Sequence, residues 1–591
     1  MFLRAKQRFK DGKIHRYWSI VENRRVAGNR VVQRQVLYLG EINDSPQAAW
    51  CKTIEVLQAE HPQSIPVALF PDDRAAPPLD GAVIQVQLRG LQVCHPRQWG
   101  ACWLACTLWD QLELDRFWAD KLKPSRKGTR WLNVLKTLVV YRLLDPGSEW
   151  RLYRQWYERS ALGDLLGADF SLVHIQKLYR CLDQVLPYKT ALFSFLKQRW
   201  QQLFEVGFDV LLYDLTSTYF EAEPADSEKK KYGYSRDKRP DCVQVVIALV
   251  VTPEGFPLAY EVLAGNTSDK TTLEDCVKKI EKQYGRQRRV WVMDRGIPTE
   301  EALASMRASD PPVRYLVGTP TGHLNALEKR FLTQPWQPVR EPVEVKLLAE
   351  AEEVYILTRS QGRIQKERAI RRRRLKKRWK RLHELPHQRI NRDQLLLKLG
   401  AAKKEAGRTY SLIDFELPTA GQPVNSETFR FSLNKKKLRQ VRRREGHYLL
   451  RSNLNSEDPA TLWQYYIQLT EVEPAFKELK TDLAIRPIYH QLDQRIEAPI
   501  FVAFVAYCLQ VTLKNRARAL ASGLSPRAVL DKLAAIQMVD VHLPTTDGRH
   551  LILSRYTEPE PDQKLLLQQL GLHLPPQLPP RVTEKSSLQS A

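Results

Sequence analysis

The sequence has little of what secreted or membrane-spanning proteins contain. Its longest apolar run, Ala498–Val511, is too short to cross a bilayer and includes Pro499. The first residues, MFLRAKQRFKDGK, lack the apolar core of a signal peptide. We therefore expect the apolar run to form a buried helix, and the protein to act in the cytoplasm without contacting a membrane.

Cysteine is also sparse. The chain has 8 cysteines among 591 residues, and none of them forms the Cys-x-x-Cys pair that structural zinc sites use. Cys102 and Cys106 lie four residues apart in an apolar, helix-like segment, with no matching histidine or cysteine pair. This pattern argues against a zinc site and is typical of reduced thiols in a cytosolic protein.

Acidic residues are the minority among the charged ones. Lys and Arg number 92 against 67 Asp and Glu, which leaves a formal net charge of +25. Such an excess favours a polyanionic partner, and nucleic acid fits better than an anionic membrane because no spanning segment is expected.

Two runs concentrate the positive charge. Residues 363–381 hold twelve Lys or Arg and one Glu, and residues 435–444 hold seven basic residues and no acid. A solvated helix is the ordinary interpretation of a charge run, but a run of one sign repels itself and favours a polyanion. Trp379 is predicted to pack inside the protein rather than to stack on an unpaired base. The predicted DNA contacts in these runs are Arg371, Arg372, Arg373, Arg374, Lys376, Lys377, Lys435, Lys436, Arg442 and Arg443.

Composition and periodicity divide the chain into segments. We predict a small antiparallel β unit at 1–64, a linker at 65–90 and a helical region at 91–205. A strand-rich block at 206–320 and a helical block at 452–535 are predicted to form one mixed α/β domain. A basic insertion at 321–451 splits this domain, and a C-terminal extension with a mobile tail follows at 536–591.

Three acidic residues are the candidates for catalysis. Asp214 ends the apolar run VLLYD, Asp294 follows the apolar run VWVM, and Glu473 lies in a segment with helical periodicity. A turn at a strand end is the ordinary interpretation of each Asp alone. Three carboxylates brought together would repel each other unless divalent cations neutralised them, and such a group is typical of a two-metal phosphoryl-transfer site.

The segment around Glu473 carries further candidates. Tyr466, Glu473 and Lys480 are spaced by seven residues, about two helical turns, so the pattern predicts that they share one stripe of a helix. Pro474 predicts that this helix kinks there, or begins there with the proline in its first turn. An amphipathic helix with ordinary surface charges is the alternative, and two further carboxylates compete for the same role, Glu471 and Glu478.

The order Asp, Asp, then Tyr-x6-Glu-x6-Lys resembles the DDE transposases of bacterial insertion sequences, in particular the IS-four superfamily with its Tyr-Arg-Glu-Lys signature. The stretches LTSTYFE, VLAGNTSD, VMDRGI and KTDLAIRPIYHQLDQRIEAPIFVAFVAYCLQ support a resemblance over about residues 205–540. The signature Arg is Leu469 here. Either the chain does without that phosphate contact, or Arg486 or another base supplies it.

The resemblance implies a ribonuclease-H-like α/β fold and an enzyme that cuts DNA at element ends and joins the ends to target DNA. It implies Asp214, Asp294 and Glu473 as ligands of two Mg²⁺ ions, with Mn²⁺ as a substitute, and Tyr466 and Lys480 as DNA contacts. It also implies that the insertion holds the cleaved end and that a homodimer assembles on double-stranded DNA. The helical region at 91–205 is the candidate for recognising the terminal sequence.

Two other interpretations stay open. A ribonuclease-H-like endonuclease without strand transfer would share the three acids but would not need the basic insertion. A DNA-binding relic with an impaired site is favoured by Leu469 and Pro474. Cleavage of end DNA with Mg²⁺ separates the first two interpretations from the relic, and a joined product separates the transposase from the endonuclease.

Overall fold

The structure is a computed structural model, and it describes most of the chain. The described residues are 1–10, 13–26, 30–41, 86–221, 227–319, 327, 330–331, 333–340, 343–350, 352–388, 390–455, 457–486, 488, 493–521, 523–546 and 548–583. The predicted linker at 65–90 lies outside the described residues up to residue 85, and so do the last eight residues of the predicted tail.

The strands lie both inside and outside the two stretches where the sequence predicted them, residues 1–64 and 206–320. In chain order they are β1 Phe2–Lys10, β2 Lys13–Val26, β3 Arg30–Gly40, β4 Gln92–Gln98, β5 Val210–Tyr219, β6 Gln244–Val251, β7 Pro257–Ala264, β8 Val290–Met293, β9 Arg314–Thr319, β10 Gln337–Arg340, β11 Val343–Glu350, β12 Glu353–Ser360, β13 Ile413–Glu416, β14 Arg430–Leu433, β15 His447–Ser452, β16 Gln537–Pro544, β17 His550–Tyr556 and β18 Arg581–Val582.

The α-helices are spread along the chain between the strands. In chain order they are α1 Gly100–Gln111, α2 Leu114–Trp118, α3 Trp131–Leu144, α4 Glu149–Arg151, α5 Tyr157–Arg159, α6 Leu162–Leu166, α7 Ile175–Val185, α8 Lys189–Phe204, α9 Leu273–Tyr284, α10 Glu300–Ala308, α11 Gln361–Glu384, α12 Arg392–Ala406, α13 Lys435–Arg444, α14 Pro459–Ile467, α15 Val472–Lys477, α16 Asp493–Leu520, α17 Pro526–Leu533 and α18 Pro561–Gln569.

These elements form two compact units. The first unit combines residues 1–6, 16–289 and 469–591, and the second combines residues 7–15 and 290–468. In chain order, the antiparallel strands β5, β6 and β7 are followed by α9, β8, α10 and β9. This is the element order of a ribonuclease-H-like domain, so the predicted α/β fold class is confirmed, as is the small antiparallel β unit formed by β1, β2 and β3.

The core of the first unit lies around α16. This helix packs against α1, α3 and α7, and the ring of Phe504 stacks on that of Tyr260 of β7 at 4.0 Å. By length and composition it is apolar enough to cross a membrane, but 94% of its apolar window is buried inside the protein. The predicted buried helix is therefore confirmed, although it is longer than the apolar run and contains Pro499 in its interior.

The second unit is built on a mixed sheet in the order β10-β11-β12-β15-β9-β8. Only the β8–β9 pair is parallel among these described strands, and α10 forms the crossover between the two. The Oγ1 of Thr299 accepts the N–H of Ala302 at 3.1 Å and so fixes the start of α10. A second core, with Leu382 and Phe429 among its buried members, joins α11 and α12 to β13 and β14. Trp379 packs against this core at 4.9 Å from the ring of Phe431, as predicted.

A buried charge network joins β12, β15 and α10. The Glu353 carboxylate accepts hydrogen bonds from Arg451 Nε at 2.8 Å and from Arg307 Nη1 at 2.7 Å, and it also accepts the Tyr315 hydroxyl. Arg451 also pairs with Glu300 at 2.7 Å, but Glu353 is the acid that Arg451, Arg307 and Tyr315 share. Removing one partner of a buried charge pair typically costs about 3–5 kcal/mol.

We expect Glu353→Ala to lower the free energy of unfolding by about 3–5 kcal/mol, measured by chemical denaturation. Glu352→Ala is the matched control, because Glu352 is 80% exposed and lies 3.9 Å from Arg307. That control should change the free energy of unfolding by no more than about 0.5 kcal/mol. Equal effects of the two substitutions would contradict a structural role for the network.

Candidate active site and nucleic-acid surface

Asp214 lies in the middle of β5, in register with Leu249 of β6. Its side chain is half-buried, and its Oδ1 accepts the N–H of Leu215 at 2.8 Å. It ends the apolar run but not the strand, which continues through Thr216 to Tyr219. Threonine and tyrosine fit a pleated surface as well as the apolar residues before them, so the loss of apolar character does not mark the strand end.

Asp294 directly follows β8, as the sequence predicted. It is exposed, and its Oδ1 accepts the N–H of Arg295 at 2.7 Å. The residues before it are fully buried, so a rigid strand presents an exposed carboxylate at its carboxyl end. Asp294 and Asp214 thus share one local conformation, in which the carboxylate turns back onto the next backbone amide.

Glu473 is exposed on α15, which packs against β5 of the same unit. The α-helix that carries Tyr466, α14, ends at Ile467, a 3₁₀ helix follows at Gln468–Glu471, and α15 begins at Val472. Tyr466 and Glu473 therefore do not share one uninterrupted α-helix, which the predicted stripe assumed. Pro474 lies in the first turn of α15, where a missing N–H costs no hydrogen bond, and one of the two predicted alternatives is therefore confirmed.

The three acids are carboxylates, which are the oxygen donors that Mg²⁺ and Mn²⁺ prefer. Asp214 and Glu473 belong to the first unit and Asp294 to the second. Among the residues that the structure describes, no group of three or more His, Cys, Asp or Glu side chains is arranged to hold a metal ion. The donor chemistry fits a divalent cation, and the ligand set stays a proposal.

Asp294 lines a cavity of about 740 Å³ that lies wholly within the second unit. The cavity is bounded on one side by the end of β9 and by α14, and on the other by the helices α11 and α13 of the predicted insertion. Its charged lining residues are five arginines and three carboxylates, namely Arg295, Arg363, Arg371, Arg374, Arg444, Asp294, Glu367 and Glu445. The excess of positive charge suits a phosphate-bearing ligand beside Asp294.

Tyr466 lines the same cavity. Its ring stacks on that of Tyr448 at 5.7 Å. Burial is the main cause that raises the pKa of Tyr466 to about 12, and the negative charge of the nearby Asp294 carboxylate is the second cause. The hydroxyl therefore stays protonated at neutral pH and can donate a hydrogen bond. Gly318 of β9 makes room for it, because a Cβ there would lie 2.8 Å from the Tyr466 hydroxyl. Sequence reasoning missed Gly318, although a glycine inside an apolar strand signals such a close approach.

Lys480 is held in place by an acid that the sequence analysis did not select. Its Nζ donates to Asp237 Oδ1 at 2.9 Å, and Arg486 donates to the same oxygen. The Asp237 side chain is 6% exposed, and its Oδ2 is buried without a hydrogen-bond partner. Burial lowers the pKa of Lys480, and the bond to Asp237 opposes that effect. Arg486, named above as a substitute for the arginine that Leu469 replaces, therefore lies beside Lys480.

The charge runs are not uniformly exposed. In α11, Arg371 is buried and paired with Glu445, and Arg378 is buried with its guanidinium 4.2 Å from the ring centroid of Tyr410. Arg371 therefore supports the packing of the insertion and lines the cavity. The other predicted contacts in the two runs are exposed, on α11 and α13: Arg372, Arg373, Arg374, Lys376, Lys377, Lys435, Lys436, Arg442 and Arg443.

Comparison with known families agrees with this arrangement. The family model described as "Transposase DDE domain" matches residues 207–509, just over half of the 591 residues. The model described as "IS1634 family transposase, N-terminal domain" matches residues 3–61, which include β1, β2 and β3. The catalytic core is thus that of a DDE enzyme. The chain belongs to the DDE transposases of bacterial insertion sequences, and the resemblance seen in the sequence is confirmed.

No curated protein matches the chain. A solved cryo-EM structure of the piggyBac transposase synaptic complex with hairpin DNA is similar over 75% of this chain and 82% of that chain. The identity is 10% and the TM-score is 0.32, a likeness too distant for comparing individual residues.

Proposed function

We propose that this transposase binds the ends of its own insertion sequence, cleaves the DNA there and joins the ends to target DNA. The observation that carries the proposal is the arginine-rich cavity with Asp294 in its wall. Convergent guanidinium groups suit the binding of a phosphodiester, and a carboxylate beside them suits its cleavage in the same cavity. Family membership supplies the reaction class, and the cavity supplies a place for its substrate.

Asp214, Asp294 and Glu473 are proposed to hold two Mg²⁺ ions, with Mn²⁺ as a substitute. When bound, such ions lower the pKa of a water or 3′-hydroxyl nucleophile and stabilise the leaving oxygen. Asp214 and Asp294 are suited to the role because β5 and β8 hold their backbones rigidly. Glu473 is suited because it is exposed on a helix that packs on β5.

The remaining site residues are proposed to bind and orient the DNA. The protonated Tyr466 hydroxyl donates to the sugar-phosphate backbone, and Lys480 and Arg486 together bind a phosphate. The shared contact with Asp237 keeps the two cations close to each other without a DNA ligand. Arg486 thereby supplies the positive charge that the signature arginine would provide and Leu469 does not. Pro474 is accommodated in the first turn of α15. Neither of these two differences from the family signature therefore favours an impaired relic.

The joined product is the direct test of this function. Purified protein would be incubated with Mg²⁺, a labelled duplex that spans the junction of its element end and flanking DNA, and a supercoiled target plasmid. We expect labelled end DNA to become covalently attached to the plasmid. Cleavage without attachment would replace the proposal with an endonuclease, and binding without cleavage would replace it with a DNA-binding relic.

The exposed basic residues of α11 and α13 are proposed to contact phosphates of the end DNA. Replacing Lys435, Lys436, Arg442 and Arg443 together by alanine should weaken binding about equally for all DNA sequences. The slope of log K against log salt should flatten by about 0.9 for each phosphate that the variant no longer neutralises, measured by fluorescence anisotropy.

A control variant that loses the same number of positive charges elsewhere shows whether the salt slope depends on contacts made by α13 or on the net charge of the protein. Lys278, Lys279, Lys282 and Arg286 supply four basic side chains in and directly after α9. Their joint replacement by alanine should leave the salt slope within experimental error of the wild-type slope. Equal flattening in both quadruple variants would show that only the total charge matters.

Other features of the assembly are proposals from the family. The segment boundaries given above are proposed as domain boundaries, with the helical region at 91–205 reading the terminal sequence. Two copies of the chain are proposed to hold two DNA ends as a homodimer, and the protein is proposed to act on DNA in the bacterial cytoplasm.

A further inference from the structure

Two exposed tyrosines lie on the loop that precedes β6. We call residues 229–241 (KKKYGYSRDKRPD) the tyrosine loop. Tyr234 is 84% exposed and Tyr232 is 54% exposed. Exposed aromatic rings gain nothing from burial in the fold, so a pair of them two residues apart points to a ligand that covers them.

The backbone around both rings is fixed. Lys231 and Gln244 exchange two backbone hydrogen bonds of 3.2 and 3.0 Å. The Gln244 side chain donates to the carbonyl of Tyr234 at 3.2 Å and to that of Gly265 at 2.9 Å. Gly233, between the tyrosines, approaches so closely that a Cβ there would lie 2.1 Å from the Gly265 carbonyl oxygen. The rings are therefore presented on a preorganised backbone, which lowers the entropy lost on binding.

The other end of the tyrosine loop is anchored beside the proposed catalytic strand. Arg236 donates to both oxygens of Asp269 at 2.6 Å, and Asp237 accepts from Lys480 and Arg486. Next to Arg486, the carbonyl of Ile485 accepts the Thr218 hydroxyl at 3.1 Å.

This anchor links the loop to Asp214. Thr218 lies on the same face of β5 as Asp214, since side chains alternate along a strand, and four residues correspond to roughly 13 Å. The tyrosine loop is thus linked, through Asp237, Arg486 and Ile485, to the face of β5 that carries Asp214.

We infer that the tyrosine loop binds unpaired nucleotides of the DNA strand being processed, with the rings of Tyr232 and Tyr234 stacking on successive bases. The inference rests on the proposed DNA-cleaving function. Stacking on a tyrosine ring suits any base, but it requires a base face that duplex stacking does not already cover. Lys231 and Lys238 of the same loop are exposed and suit the phosphates of the same strand.

The neighbouring Lys229 and Lys230 are less suited to bind phosphates than Lys231 and Lys238 are. Lys229 pairs with Glu497 at 3.2 Å, and Lys230 is 4% exposed, with its Nζ 5.9 Å from the ring centroid of Phe220. A duplex-binding surface would need more exposed cations than this loop offers. The combination of two rings with two exposed lysines fits a short single-stranded segment better.

The test measures binding of the full-length protein to labelled single-stranded oligothymidylate and to a blunt duplex, by fluorescence anisotropy. We expect Tyr234→Ala to weaken single-strand binding by roughly 5- to 150-fold, the range for loss of one stacked base, and to leave duplex binding within about twofold. Tyr234→Phe keeps the ring and should bind as the wild type does. Tyr38→Ala removes another exposed tyrosine, 43% exposed on β3, and should also have no effect.

Each other outcome overturns the inference. Unchanged single-strand binding of Tyr234→Ala would show that the ring is not a platform, and parallel loss of duplex binding would show a general backbone contact. Loss in Tyr234→Phe would mean that the hydroxyl rather than the ring is recognised. If Tyr234→Ala cleaves end DNA and also binds single-stranded DNA as tightly as the wild type does, this inference is wrong and the proposed function stands. Failure of the wild type to bind either DNA would remove both.

Discussion

Replacing Asp214 or Asp294 by asparagine is expected to reduce cleavage of end DNA by about 10³-fold or more, which corresponds to a loss of about 4 kcal/mol of transition-state stabilisation. Asparagine has nearly the same shape but no negative charge, so it cannot neutralise a divalent cation. Affinity for end DNA should stay within about threefold, because the basic residues of α11 and α13 are proposed to carry the binding. Single-turnover cleavage and anisotropy on the same DNA measure the two quantities.

Asp209→Asn is the matched control for this result. Asp209 is exposed and lies directly before β5, five residues from Asp214, so its replacement changes the same charge without touching the proposed ligand set. It should cleave at the wild-type rate. An Asp214 or Asp294 variant that still cleaves end DNA at a comparable rate would contradict the assignment of that residue.

Replacing Asp237 by asparagine should reduce cleavage by about 10²-fold without weakening DNA binding. The carboxylate holds Lys480 and Arg486 together, and without its charge the two cations repel each other. A misplacement of a positioning group by about 1 Å is enough for a loss of that size. Affinity should be unchanged or higher, because the variant carries one more positive charge.

Cleavage rate and DNA affinity, measured together, show whether Asp237 positions the two cations or only stabilises the fold. Asp241→Asn removes an exposed acid from the same loop, where it pairs with Arg239 at 2.9 Å, and should change neither cleavage nor binding. Parallel loss of affinity and cleavage in Asp237→Asn, with a lower melting temperature, would show that Asp237 only stabilises the fold. Wild-type cleavage would show that the two cations need no alignment.

The strands at 1–64 and 206–320 could be predicted from the sequence because β-branched runs of the right length stand between turn residues, whereas β4 and the strands from β10 onward were not predicted. The end of the apolar run at Asp214 does not mark the end of β5, since Thr216 and Thr218 suit a strand as well as the apolar residues do. The spacing of seven residues between Tyr466 and Glu473 was a poor guide, because it places residues on one face only within an uninterrupted α-helix and the 3₁₀ helix Gln468–Glu471 separates α14 from α15.

The partners of the site residues were beyond prediction for a different reason. Asp237 is separated from Lys480 by 243 residues, and no local pattern connects them. Gly318 is likewise distant in sequence from Tyr466, whose hydroxyl it accommodates. Contacts of this kind depend on the tertiary fold, which local patterns in a single sequence do not reveal residue by residue.

The buried arginines of α11 did leave a signal in the sequence. Ile364, Arg371, Arg378 and Leu385 recur every seven residues, and all four are buried. A heptad spacing places residues on one face of a helix, so the two arginines lie on the same inner face as the apolar residues. The number of basic residues gives only the charge of the run. Their spacing distinguishes the arginines that face the core from those that face solvent.

The central claim is that Glu473 completes an acidic, metal-dependent site with Asp214 and Asp294. The most direct test is cleavage of a labelled element-end junction with Mg²⁺, comparing wild type, Glu473→Gln and Glu471→Gln, with metal-free buffer as a further control. The account predicts cleavage by wild type and by Glu471→Gln, and none by Glu473→Gln or without metal. Cleavage by Glu473→Gln at the wild-type rate, or loss of cleavage in Glu471→Gln alone, would contradict it.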